Sequence, residues 1–175
     1  MTQLPLKMRL SRQDEHEARI KAQDTMFIVR GKNLEPRAET MGKISRDEGT
    51  LQGFRTEYAI ARLFGVAPPD INFKSDGGID LWVGDCAIDV KCTATDPACL
   101  IFDSLDKFGA DVAILVKFST DSEVLDIYGW VSKSQFGERC HTHNFGHGDR
   151  LVVNAEKLNP IETLWRKFKL IEFSH

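Results

Sequence analysis

Residues 79–92 constrain the fold more than any other stretch. Ile79-Asp80-Leu81-Trp82-Val83 and Cys86-Ala87-Ile88-Asp89-Val90-Lys91-Cys92 alternate apolar and polar residues on either side of Gly84-Asp85. A Gly-Asp pair between two such runs predicts a two-residue β-hairpin. With 84 and 85 in the turn, position 83 faces 86, 81 faces 88, and Asp80 faces Asp89. Lys91 then lies on the aspartate face two residues on. Ile79, Leu81, Val83, Cys86, Ile88, Val90 and Cys92 fall on the other face, which is the core side.

Two carboxylates directly opposite each other, with Cβ atoms about 5 Å apart, repel. The pair gains a purpose when a cation sits between them. Oxygen donors at that separation suit Mg²⁺ or Mn²⁺, which retain waters and complete their shell with substrate phosphate oxygens. Lys91 beside such an ion is placed to hold a water or offset charge on a phosphate under attack. The competing reading is a solvated strand face, common on antiparallel hairpins.

A third acid lies upstream. Residues 50–65 read as an amphipathic helix, with Leu51, Phe54, Tyr58, Ala61 and Phe64 as its apolar stripe and Gly65 at its end. Glu57 adjoins that stripe and so points toward whatever the helix packs on. Helix Glu57, then Asp80 after Gly77-Gly78, then Asp89-Val90-Lys91 on the next strand resembles the PD-(D/E)xK nuclease superfamily. The resemblance covers roughly residues 50–118, with Ile79 in place of the usual Pro and Asp89 in place of the commoner Glu.

It implies a restriction-endonuclease-like α/β fold, a mixed central sheet built around the hairpin and flanked by helices. It further implies a metal-dependent DNA endonuclease. Asp80, Asp89, Glu57 and the backbone carbonyl of Val90 would hold Mg²⁺ (or Mn²⁺), and Lys91 would assist the attacking water. The Gln and Tyr, four residues apart, of the related exonucleases are missing from 105–110. Small members commonly act as homodimers and often belong to phages or mobile elements. The rival from another class is an inactive nuclease-fold subunit that binds nucleic acid or serves assembly.

A length of 175 residues gives one core. The reading places an N-terminal helical arm and loop at 1–49 and the nuclease-like domain at 50–175. No apolar run approaches the ~20 residues of a membrane span, and Met1–Ser11 lacks the apolar core of a signal peptide. With four cysteines, two on the core face of a hairpin strand, the expectation is buried thiols in a reducing cytoplasm. The net charge of −3 argues against indiscriminate nucleic-acid binding. Residues 1–75 carry 13 basic against 10 acidic side chains, and 76–175 carry 10 against 16. Lys43, Arg46, Arg55 and Arg62 in the basic half, and Arg150 further on, are candidate phosphate contacts.

Around this centre the sequence predicts a polar helix at 11–23, a loop at 31–49, and a short strand at 71–73. Strands follow at 98–102, 111–118 (central, by its apolar run), 123–131 and 151–153. A helical turn is expected at 104–108, a short helix capped by Ser132 through Arg139, and a C-terminal helix at 161–170. Cys140-His141-Thr142-His143-Asn144-Phe145-Gly146-His147 gathers four donors of the right type for zinc in eight residues. Its spacing is wrong, because structural zinc sites draw ligand pairs from two separate segments. A polar loop is the expectation there.

Overall fold

The computed structural model describes residues 4–31, 45–69 and 78–172. Lys43, the strand expected at 71–73 and most of the loop expected at 31–49 lie outside the described residues. The chain forms a mixed α/β fold in which a five-stranded sheet carries helices on one face and a smaller sheet on the other.

Strands β1 (Leu6–Met8), β2 (Leu81–Val83), β3 (Cys86–Thr93), β5 (Val112–Ser119) and β6 (Ser122–Ser132) make the main sheet in the order β1-β6-β5-β3-β2. Every neighbouring pair is antiparallel except β3 and β5, which run parallel with Asp89 beside Ala113 and Lys91 beside Leu115. A parallel pair needs a crossover. Here it is made by β4 (Cys99–Phe102) and the 3-10 turn at Leu105–Lys107, which cross one face of the sheet. β4 then pairs with β8 (Asp149–Asn154), and β8 with β7 (His141–Asn144), forming the second sheet in the order β4-β8-β7.

Burial follows from these layers. Ile88, Val90, Ile114, Val116, Leu125 and Ile127 pack toward α2 (Arg46–Phe64) and α4 (Ile161–Glu172). On the other face Ala87, Ala113, Leu115 and Val131 meet Leu100, Phe102, Phe108, Val153 and Phe136, the last on α3 (Lys133–Arg139). β5 is therefore covered on both sides, which is why its apolar run is unbroken. The capping box at Ser132 and Gln135 starts α3 where the sequence predicts.

Two expectations are revised. α2 begins four residues earlier than predicted, because Ser45 caps it by accepting from the Glu48 amide at 3.2 Å. The polar N-terminal helix is longer, α1 (Arg12–Gly31), and is docked against α2 instead of standing off as an arm. Ala18 and Ala22 bring the two helices close. Ion pairs from Glu15 to Arg55 (2.7 Å) and from Asp14 to Arg62 (2.6 Å) accommodate the polar residues around them.

Candidate active site

The hairpin forms in the expected register for three pairs: Val83 opposite Cys86, Trp82 opposite Ala87, Leu81 opposite Ile88. Gly84 sits at φ +57° in the turn, a conformation that favours glycine. The register then changes. Asp80 donates its N–H to the Ile88 carbonyl at 2.8 Å, although Ile88 already faces Leu81. Two residues addressing one is the geometry of a β-bulge. Asp80 therefore does not continue the ladder as the direct cross-strand partner of Asp89.

Instead the Asp80 carboxylate accepts the Val90 amide at 2.7 Å. That bond replaces the main-chain partner that a longer β2 would have supplied. Peptide geometry keeps the accepting oxygen within about 5 Å of the Asp89 Cα. In a strand, the N–H and C=O of one residue point to the same side. The Val90 carbonyl consequently faces the same edge as the Asp80 carboxylate. Asp80 and the Val90 carbonyl thus meet where β2 leaves β3.

Asp89 and Lys91 point to the face that carries the second sheet. Asp89 is only 1% exposed, and Lys91 Nζ lies 2.7 Å from Asp89 Oδ1. The same ammonium stands 5.2 Å from the centre of the Phe102 ring on β4, a cation–π contact that sequence reasoning did not anticipate. Gly78, at φ +83°, carries the main chain close over Asp89: a Cβ there would stand 3.6 Å from Asp89 Oδ2. The Gly77-Gly78 pair was the available signal for that close approach.

Glu57 reaches β3 from the opposite face. It is half-buried on α2, beside Cys92. Burial first, and the Glu57 charge second, push the Cys92 thiol up to about 11, with a hydrogen bond from Thr56 partly offsetting them. Glu57 therefore shares the end of β3 with Asp89 and Lys91 but approaches it from the α2 side. Cys92 and Cys86 are half-buried, not fully enclosed, and all four cysteines are free.

The candidate phosphate contacts fare differently. Arg55 is a correction: it is 6% exposed, and its guanidinium is held by Glu15, by Gln52 at 2.8 Å and by the Glu123 carbonyl at 3.3 Å. It ties α1 to α2 and to the start of β6. Arg62 is taken by Asp14. Arg150 pairs with Asp103 at the mouth of the β7–β8 hairpin. Arg46 is the first residue of α2.

Within Cys140–His147 the expectation of a loop is corrected in part: His141–Asn144 form an edge strand, and Phe145–His147 remain outside it in the turn toward β8. His141 faces Val152 and His143 faces Arg150, while β7 is exposed along its whole length. His143 packs edge-on against Phe145 at 4.4 Å.

Among the described residues no three His, Cys, Asp or Glu side chains form a metal-holding group, in this stretch or at the hairpin. The hairpin donors nonetheless suit a hard divalent cation held by few protein ligands. Asp80 and the Val90 carbonyl face the β3 edge, and the Asp89 carboxylate, one residue away, faces the second sheet. These are oxygen donors of the kind Mg²⁺ takes, with its remaining positions left to water and phosphate. No helix among the described residues is long and apolar enough to cross a membrane. Comparison with protein-family models, curated proteins and solved structures returns no match.

Proposed function

We propose that this chain is a metal-dependent endonuclease that hydrolyses DNA phosphodiesters at the opening of the β2–β3 hairpin, on a restriction-endonuclease-like fold. The observation that carries the reading is the Asp80 carboxylate on the Val90 amide, one residue from buried Asp89 and at the edge faced by the Val90 carbonyl. A carboxylate beside a buried, lysine-paired aspartate is costly to maintain for packing alone. It is economical as a cation site.

Asp80, Asp89 and the Val90 carbonyl would hold Mg²⁺ or Mn²⁺, and Glu57 would orient water from the α2 side. When bound, the cation polarises a phosphoryl oxygen and lowers the pKa of its water. Lys91 exchanges its contact with Asp89 for the attacking water or a phosphate oxygen, where its charge counts most in the transition state. The Phe102 ring keeps the ammonium at the site while it does so. A homodimer in the cytoplasm, cutting both strands of a duplex, completes the reading by analogy with small nucleases of this kind, as does a phage setting.

One observation favours a second reading. The 2.7 Å pairing of Lys91 with Asp89 neutralises the aspartate without a metal, as an inactive binding or assembly subunit would require. A cleavage assay on plasmid, linear, single-stranded and branched DNA, titrated with Mg²⁺ and Mn²⁺, separates the two. Metal-dependent cleavage that disappears in Asp89→Asn supports hydrolysis. Binding of DNA without cleavage under every metal condition supports the inactive subunit.

A further inference from the structure

Trp82 stands on β2 directly before the opening, and it is 57% exposed. Single exposed apolar residues are ordinary on protein surfaces, so exposure alone says little. Position says more. Leu81 and Val83 on either side of Trp82 are buried toward α2 and α4. Strand alternation therefore turns the indole to the other face, the one that carries Asp89 and Lys91.

Its cross-strand neighbour is Ala87, which is buried in the second core and too small to fix an indole by packing. Asp89 is the next residue along β3 on the same face, a diagonal neighbour whose Cβ lies roughly 7–8 Å away. A flat, wet aromatic surface therefore sits about one nucleotide step from the carboxylates. Trp165, the other exposed indole, belongs to α4 beside Leu6 and Leu63, on the far face of the sheet. Trp130 is buried, with its indole N–H held by Thr163 at 2.9 Å.

We propose that Trp82 is a stacking platform for an unpaired nucleobase next to the scissile phosphate, so that the substrate is single-stranded DNA or a duplex with unpaired nucleotides at the cut. The inference rests on the endonuclease reading for its substrate class and deepens it. An intact duplex has no base free to lie on an indole, whereas a single strand offers one at every step. Stacking accepts any base, so the platform selects strand architecture and not sequence. Trp82 is a binding residue and does not enter the chemistry.

The test is binding of a short deoxythymidine oligonucleotide in EDTA, where cleavage is absent, followed by the indole fluorescence of Trp165→Phe so that the exposed signal belongs to Trp82. The single strand quenches that signal, and a duplex of equal length does not. By fluorescence anisotropy of a labelled oligonucleotide, which needs no indole, Trp82→Ala weakens single-strand binding about tenfold, leaves duplex binding unchanged, and Trp82→Phe restores most of the loss. Unquenched fluorescence, wild-type single-strand affinity in Trp82→Ala, or equal losses for single strand and duplex would overturn the platform. The two readings fail separately. Quenching by the single strand without cleavage in any metal sinks the nuclease and keeps the platform. Metal-dependent cleavage of the single strand at the wild-type rate in Trp82→Ala does the reverse.

Discussion

Two of the chain's hairpins, β2–β3 and β7–β8, carry its two chemically rich clusters, and they treat them in opposite ways. In β2–β3 the polar side chains are drawn between layers. Asp89 is enclosed by Gly78 and the second core, Lys91 is folded onto it, and Asp80 is fixed by a main-chain amide. In β7–β8 the histidines lie along an exposed edge strand with solvent beside them. Donor types alone made both clusters candidates. What separates them is the energetic demand each makes: buried charges require organised partners, and exposed imidazoles require nothing.

The largest expected effect lies in activity. Asp89→Ala lowers metal-dependent cleavage about a thousandfold, comparable to removing a group that stabilises the transition state, while His143→Ala leaves the rate within twofold. Single-turnover rates on a single-stranded substrate measure both. Comparable losses in the two variants would erase the distinction between the hairpins.

Legibility divides along the same physical line. The three inner pairs of the hairpin, the central β5 and the start of α3 were readable because alternation, an unbroken apolar run and a capping box are local signals. β1 was not, being three residues long, and the docking of α1 depends on Ala18, Ala22 and ion pairs made with a helix forty residues away. The pairing of β4 with β8 joins segments some fifty residues apart and leaves no mark in either one. At the candidate site, Glu57 lies on a helix and Asp89 and Lys91 on a strand as the sequence predicts, whereas Asp80 falls just before β2 and Glu57 approaches from the other face of the sheet. The bulge that turns Asp80 toward Val90, the Phe102 ring under Lys91 and the burial of Arg55 arise only from tertiary packing.

Stability gives the next contrast. Lys91→Ala leaves the buried Asp89 carboxylate without its ammonium and costs about 3 kcal/mol by urea unfolding. The double substitution Asp89→Leu with Lys91→Met recovers most of that loss, since packed apolar groups replace a buried pair well. Arg150→Ala costs under about 1 kcal/mol, because its partner Asp103 is largely in water. A loss at Arg150 equal to that at Lys91 would mean that both hairpins depend on their charges alike.

A smaller effect appears in alkali. The Cys92 thiol, ordinarily titrating near 9, is raised to about 11 in the folded protein. The folded state thus binds this proton more tightly than the unfolded state does. Its stabilising contribution is complete below about pH 9 and is lost as the pH climbs toward 11. Cys92→Ala should flatten the fall in stability over that window relative to wild type. Parallel profiles for variant and wild type would show that Glu57 and burial do not act on this thiol.

The central claim is that the β2–β3 opening, and not the histidine edge, holds a divalent cation. Mn²⁺ binding followed by electron paramagnetic resonance on the wild type, Asp80→Asn, Asp89→Asn and the His141→Ala/His143→Ala pair tests it directly. The account predicts that Mn²⁺ binds the wild type and the double histidine variant alike, and that either aspartate substitution abolishes the bound signal. Undiminished binding in Asp89→Asn, or loss of binding in the histidine variant, would contradict it.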